Sequence, residues 1–412
     1  MEQRRKNLTQ LFIPICLETL LYMLSGMVDT LMLSSVNDQA VGAVGTANTY
    51  IGIFIIMFSV ISSGMVAVMT QNIGAGRPGV AYQARQLGLA FNAVLGVIMS
   101  LFLSLGAGTI LSGVGVADAL MQPAKTYLQI VGGFCILNAL IPICSSYLRA
   151  FGFSKEPLYA SIIGNVINFC LNAFFLFVLH KGVAGVATAT VISRIINLVI
   201  VVLLGAVLVK AKQHPERESN REVMGQIIRI GLPSACETAI YNVSMTLVIR
   251  FLNQMDAQGL NVTARSYTMQ ITNFSYCVGA ALAQANAIMT GWHIGAKEYD
   301  ACDRGTKKAA VIGVIVAVIL ETVFTLCSGW IMQLFSKDPQ MVSLVGKLLA
   351  IDIVLEIGRV TNLVYGQALK TSGDAVFPVV MGACFMILCS VGGTYLFGIR
   401  LGLLAVGAYI GM

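Results

Sequence analysis

The chain has 412 residues, of which 57% are hydrophobic and only 11% are charged. A soluble domain carries about 25% charged residues, so the composition excludes an ordinary soluble protein and predicts a polytopic all-α membrane protein. The net charge of +7 comes without arginine-rich or aromatic-interleaved surface stretches, which argues against a nucleic-acid partner. Nearly all of the ten cysteines lie in apolar segments, as is typical of small buried side chains.

Hydropathy predicts two sets of membrane-spanning helices joined by a polar linker. The first apolar segment is too long and too polar for a cleavable signal peptide, so it is expected to be a transmembrane helix. The first set covers residues 8–34, 42–70, 86–114, 122–148, 157–179 and 184–209. After the linker at 210–225, the second set covers residues 226–253, 262–290, 305–332, 341–369 and 375–398, with a stub from Leu403.

The stub is too short to cross a bilayer, which takes about 20 apolar residues. We therefore expect twelve helices, of which the twelfth is incomplete in this sequence and continues beyond Met412 in the natural protein. The predicted organisation is a first lobe at 1–209, a cytoplasmic linker at 210–225 and a second lobe at 226–412.

A polar stripe runs along the first predicted helix. Its members are spaced by three or four residues and so share one helix face: Pro14, Glu18, Tyr22, Ser25 and Asp29. Two acids inside a membrane segment are costly unless they face protein or water, so the stripe is a candidate functional surface.

The stripe returns at the start of the second set, in Pro233, Glu237, Tyr241 and Ser244. Only its last position differs, because Val248 stands where the first helix has Asp29. The repeat continues in LRAFGFSKEP (148–157) and LKTSGDAVFP (369–378), which share a cation, a glycine and a proline. Six spans per half predict two halves of equal orientation, and the excess of Lys and Arg in loops on the N-terminal side predicts a cytoplasmic N-terminus.

Together these residues resemble the MATE family of multidrug and toxic compound extrusion transporters, in the wider MOP flippase superfamily. The resemblance rests on the two six-helix halves, on Pro14 and MVDTLML in the first helix, on Gln71 with Gly74 at the end of the second, and on LRAFG before the fifth. It implies a V-shaped two-lobe bundle that exports cationic, amphipathic organic compounds in exchange for H⁺ or Na⁺.

The resemblance also implies a cation-coupling site. In the family an aspartate fifteen residues after the proline of the first helix couples transport, and Asp29 has that spacing. Its family partners on the fifth helix correspond to Asn168 and Asn172, so Na⁺ is possible there beside H⁺. The sixth-helix hydroxyl corresponds to Thr190, or to Thr188 in a shifted register, and Ser25 replaces the family's tyrosine one turn before Asp29.

The other intramembrane charges leave alternatives open. A structural Asp29 would bond a neighbouring helix, but Val248 in the twin helix favours a functional role. Glu18 and Glu237 occur in both halves, which fits either a packing role or a symmetric gate. On the tenth helix, Asp352, Glu356 and Arg359 are either a buried ion-pair cluster or a second cation or substrate site. Glu321 is a weaker candidate, and Arg194 is a possible partner of these acids.

The favoured function is a secondary active antiporter in the plasma (inner) membrane, acting as a monomer on small organic cations among membrane lipids. Its only cofactor is the coupling ion, and Pro14 is the expected hinge of the first helix. The alternative is a flippase for a lipid or lipid-linked saccharide, which would need cations in its cavity to hold a pyrophosphate, whereas this chain has mostly acids there. No catalytic motif points to an enzyme.

Overall fold

The computed structural model describes residues 6–35, 38–113, 116, 118–209, 216–255, 259–333 and 338–411, and all regular structure in these ranges is helical. The first half contains α1 (Leu8–Ser34), α2 (Asp38–Gly74), α3 (Pro78–Gly113), α4 (Asp118–Tyr127), α5 (Ile136–Ala150), α6 (Lys155–Ala173) and α7 (Gly182–Leu208). The second contains α8 (Asn220–Met255), α9 (Leu260–Gly295), α10 (Tyr299–Leu326), α11 (Ser328–Met332), α12 (Pro339–Ser372), α13 (Val376–Phe385) and α14 (Leu404–Gly411).

In the described ranges, three stretches continue these helices with the wider π-helical hydrogen bonding: Leu128–Gly132, Phe174–Val178 and Met386–Arg400. Among the described residues, seven helices are long and apolar enough to cross a membrane, and an eighth is obtained when one bent pair is taken as a single span. The all-helical, multi-pass architecture is thus confirmed, while the count of twelve spans stays a prediction.

The bent pair is the predicted span at 122–148. In the structure Leu120–Gly132 and Ile136–Ala150 meet at 43°. A glycine pair at 132–133 beside a π-helical stretch explains the break, because both weaken the regular hydrogen-bond ladder. The hydroxyl of Ser100 on α3 accepts the backbone N–H of Ile136 at 3.0 Å and so satisfies the first turn of α5. In the second half the corresponding α12 is continuous.

The two halves share backbone conformations where the sequence repeat predicts them. Gly152 and Gly373 follow α5 and α12 with φ of 85° and 109°. Gly182 is the first residue of α7 and Gly402 lies shortly before α14, with φ of 53° and 70°. These left-handed values are readily adopted only by glycine, so the same turns are built twice.

The chain divides into two compact units. The first comprises residues 1–232 with 295–297, and the second comprises 233–294 with 298–412. The division therefore falls inside α8, immediately before Pro233. Residues 210–215 of the predicted linker lie outside the described residues.

The end of the linker belongs to the first unit. The side-chain amide of Gln83 on α3 donates to the carbonyl of Glu218 at 2.7 Å and accepts the N–H of the same residue at 3.1 Å. Arg77 forms an ion pair with the Glu218 side chain. This two-way attachment fixes the chain directly before α8, which begins at Asn220, earlier than hydropathy predicts.

Candidate functional site

The candidate site in the first unit lies where α1 packs against α6. The amide Nδ2 of Asn172 donates to Oδ1 of Asp29 at 2.6 Å and to Oδ1 of Asn168 at 3.2 Å. Both asparagines are buried, and Asp29 is half-buried. The structure thus brings together the acid and the two amides that the family resemblance placed in one site.

The sequence of α6 explains this placement. Gly164, Asn168 and Asn172 recur every fourth residue and are all buried, whereas Val166 and Phe169 between them are exposed. The buried face of the helix is therefore polar inside an apolar segment. Polar side chains on such a face are stable only when they bond one another or line a hydrated cavity.

One acceptor at this site is unsatisfied among the described residues. The buried Oδ1 of Asn172 has no hydrogen-bond partner, although its Nδ2 serves two oxygens. A buried polar atom without a partner is costly, so it points to a water or an ion that completes the arrangement. Carboxylate and amide oxygens are the ligands that hard cations prefer.

Thr190 and Ser25 are the other predicted members of the site. Thr190 is buried on α7, and its hydroxyl donates to the carbonyl of Val186 at 2.9 Å. Ser25 is half-buried one turn before Asp29 on α1. Within the described residues, neither hydroxyl hydrogen-bonds to the Asp29 carboxylate.

Arg194 of α7 is a further charged residue of this unit, and from the sequence it was only a possible partner of the acids Asp352 and Glu356. Its positive charge acts electrostatically on Asp29. It lies one helical turn after Thr190, so both face the same side of α7. The signal in the sequence was that spacing, together with the rarity of a cation inside a membrane segment.

Val248 occupies the corresponding place in the second unit and behaves as a core residue. It is fully buried in an apolar cluster with Leu252, Ala405 and Ala408. The two halves therefore use the same position differently, since one buries an aliphatic side chain and the other keeps a carboxylate beside an amide. Packing alone accounts for the first and not for the second.

Glu18 and Glu237 each have a cationic partner. Glu18 on α1 accepts from Arg149 at the end of α5, with an Nη2–Oε2 distance of 2.5 Å. Glu237 on α8 forms the equivalent ion pair with Lys370 at the end of α12. All four side chains are largely buried within their own unit, so the pairs are shielded from solvent.

A second group of acids lies in the second unit. Glu321 of α10 and Asp352 and Glu356 of α12 are buried, and their carboxylate oxygens lie within 4.8 Å of one another. The predicted pair of Glu356 with Arg359 is present at 2.5 Å, and Arg359 also reaches Asp352 at 3.3 Å. The hydroxyl of Ser275 on α9 donates to Glu356 at 3.3 Å.

Glu321 is the member that sequence reasoning undervalued. Both of its oxygens, and Oδ2 of Asp352, are buried without a hydrogen-bond partner among the described residues. Three carboxyl groups share one guanidinium, so their full ionisation leaves two negative charges uncompensated. The arrangement is therefore suited to hold protons or a small cation.

Comparison with known proteins agrees with the internal repeat. A model of the MatE family matches the chain twice, at residues 14–174 and 233–396. Each match begins at the proline of the first helix of a half, Pro14 or Pro233. The chain is 33% identical to the "Uncharacterized transporter YisQ" of Bacillus subtilis over 96% of this chain and 88% of that protein.

A more distant relative carries a functional name. The chain is 23% identical to the "Probable multidrug resistance protein NorM" of Thermotoga maritima, over 99% of this chain and 89% of the relative. Among solved structures, a MATE protein described as in the bent conformation superposes with a TM-score of 0.89 at 18% identity, covering 98% of this chain and 90% of that one. At that identity the likeness establishes the fold.

Proposed function

The chain belongs to the MatE family of membrane transporters, and from that premise we propose that it is a multidrug efflux antiporter. It exports cationic, amphipathic organic compounds in exchange for H⁺ or Na⁺. The name of the NorM relative supports the multidrug assignment. The single observation that carries the coupling mechanism is Asp29, a half-buried acid bonded to Asn172 where the other half of the fold has the buried Val248.

Asp29 is the group at which ion and substrate exchange. Ionised Asp29 accepts the charge-assisted bond from Asn172 and attracts an organic cation. A proton or Na⁺ on the carboxylate removes that attraction, rearranges α1 near Pro14 and releases the substrate. Asn168 and Asn172 cannot titrate, so this unit exchanges one charge per site, and their amide oxygens are available to a sodium ion.

The acids of the second unit form a second coupling site in this proposal. Glu321 supplies a carboxyl group with no hydrogen-bond partner among the described residues, beside Asp352 and Glu356. Arg359 compensates one of their charges and reduces the number of cations that the site takes up. A bound ion would compensate the remainder.

In this proposal the protein lies in the plasma membrane as a monomer. Its N-terminus and the linker are cytoplasmic, because Lys and Arg are concentrated in the loops on that side. Organic cations are favoured over pyrophosphate-linked lipids because acids outnumber cations within the membrane segments. The nineteen methionines provide adaptable apolar walls for varied substrates.

Transport in proteoliposomes tests the proposal. Efflux of a fluorescent organic cation is followed with an imposed proton gradient in one set of vesicles and a sodium gradient in another. At least one of the two gradients should drive wild-type transport, and Asp29→Asn should abolish this transport while the protein still inserts and folds. Transport by protons alone assigns Asp29 as a proton site, and transport by sodium alone assigns a sodium site to one of the two groups. Normal export by folded Asp29→Asn would refute the mechanism.

A flippase gives a different pattern in the same vesicles. It would move a fluorescent lipid between leaflets and would leave the organic cation in place under both gradients. That result would replace the antiporter assignment with the alternative function.

A further inference from the structure

Both halves of the protein contain an equivalent ion pair. It connects α1 to the end of α5 in the first half, and α8 to the end of α12 in the second. In each half the acid, Glu18 or Glu237, follows the proline by four residues. In each half the cation, Arg149 or Lys370, lies in the last helical turn before a glycine of positive φ. The contact is therefore a feature of the repeated fold.

A second contact occurs in the first half. The hydroxyl of Ser154 donates to the backbone carbonyl of Gln10 at 3.0 Å. In a regular helix this carbonyl would accept the N–H of residue 14, but Pro14 has no N–H to donate. Ser154 is fully buried and supplies the missing donor. The repeat places Ala375 at the equivalent position, where no hydroxyl is present.

Both contacts originate from residues 149–154, which we call the clamp turn. Ser154 holds Gln10 one turn before Pro14, and Arg149 holds Glu18 one turn after it. The helix α1 is thus attached to the same turn on both sides of its proline, and it runs without interruption from Leu8 to Ser34. Proline is the commonest origin of a sharp helix kink, so these attachments act where α1 is weakest.

We propose that Arg149 and Ser154 are positioning residues that hold α1 straight across Pro14, and that release of this clamp lets the following part of α1, which carries Asp29, swing during transport. This role rests on the proposed antiport function. Asp29 and Ser154 belong to one half, whereas Val248 and Ala375 replace them in the other. The half that carries the proposed coupling acid is therefore also the half with a hydroxyl contact one turn before its proline.

The expected displacement is large enough to measure. Leu31 lies 17 residues beyond Pro14, or about 25 Å along the helix, so an added bend of about 20° moves it by about 9 Å. Leu31 and Leu105 of α3 are exposed and lie in the same unit. Spin labels introduced there as unnatural amino acids leave the native cysteines unchanged, and pulsed electron resonance in nanodiscs reports the distance between them.

Arg149→Gln and Ser154→Ala should each add a population displaced by several ångströms. Ser154→Thr keeps the hydroxyl and should retain the wild-type distance. The matched control is Lys370→Gln, which breaks the equivalent pair in the other unit and should leave the Leu31–Leu105 distance unchanged. Wild-type distances in both folded Arg149→Gln and folded Ser154→Ala would overturn the clamp. If Arg149→Gln does not fold, the Leu31–Leu105 distances in Ser154→Ala and Ser154→Thr test the clamp without it.

Transport supplies the second measurement. Ser154→Ala should shift the balance between clamped and released α1 about fivefold, the equilibrium equivalent of one neutral hydrogen bond, and should thereby alter turnover, whereas Lys370→Gln should leave turnover unchanged. Equal loss in both variants would indicate general destabilisation and contradict the positioning role. Should wild-type vesicles move no organic cation while the spin-label distances still shift, the antiport function would fail and the clamp on α1 would stand.

Discussion

Exchanging the side chains at the two equivalent positions, Asp29 and Val248, separates function from packing. In Asp29→Val, one charge-assisted hydrogen bond of about 1.5–3 kcal/mol is lost. The buried Nδ2 of Asn172 still donates one N–H to Asn168, but its second N–H loses the acceptor that Asp29 provided. Removing a carboxylate from a membrane segment also recovers its desolvation cost of several kcal/mol, so the two effects oppose each other. We expect a folded protein of nearly unchanged stability that no longer exports.

The reverse change should behave in the opposite way. Val248 is fully buried among apolar side chains, so Val248→Asp places a carboxyl group where no partner awaits it. An uncompensated buried charge costs about 3–5 kcal/mol, which predicts a clear fall in thermal stability. Thermal unfolding monitored by size-exclusion chromatography, together with efflux from proteoliposomes, measures both effects. Export by Asp29→Val above half the wild-type rate, or its failure to fold, would refute the assignment of Asp29 as a coupling group.

Three further changes test other parts of the structure. Glu321→Gln removes one of three clustered acids, so it should raise thermal stability in the absence of sodium and reduce any stabilisation that added sodium gives; an unaltered sodium response would count against the second site. Arg359→Ala leaves the buried Asp352 and Glu356 without their counter-charge, which should cost about 3–5 kcal/mol and lower the yield of folded protein, measured by monodispersity. In the first unit, Gly64→Ala places a Cβ 1.9 Å from the carbonyl oxygen of Ile227 and should destabilise the protein, whereas Gly45→Ala has nothing within 4 Å and should leave the unfolding temperature unchanged.

The helices were predicted from regular features of the sequence, whereas the grouping of Asp29 with Asn168 and Asn172 was implied by the family resemblance. Apolar length determines the spans, and a spacing of four residues places Asn168 and Asn172 on one face of α6. The break after Gly132 was not predicted, since glycine pairs are common in membrane helices and only some of them bend. The break depends on neighbours such as Ser100, which binds the freed N–H of Ile136.

Contacts between helices were harder to predict than faces of single helices. Glu321 joins Asp352 and Glu356 only because α10 and α12 are rotated to face each other, and their rotation cannot be read from either segment alone. Glu18 and Arg149 were both singled out by the repeat, yet their pairing needed the position of the turn after α5. The same pairing in Glu237 and Lys370 shows that a repeat can identify such contacts when both partners recur.

The differences between the halves carry more functional information than their similarities, because shared residues maintain a shared fold. The region at the helix break makes this clear. In the second half the repeat places Asp352 and Glu356 where the first half has Val131 and Cys135, beside the 43° bend. One half thus interrupts its fourth helix at this level, and the other keeps the helix continuous and buries charge there. A broken helix and buried charges are both costly inside a membrane, so we expect this part of the fourth membrane-spanning helix to respond to ions or substrate in both halves.

Substituting Gly133→Ala should then alter transport kinetics more than stability, because its Cβ would meet Ser104 at an ordinary contact distance of 3.5 Å. A loss of stability without a change in turnover would restrict the bend to a packing role.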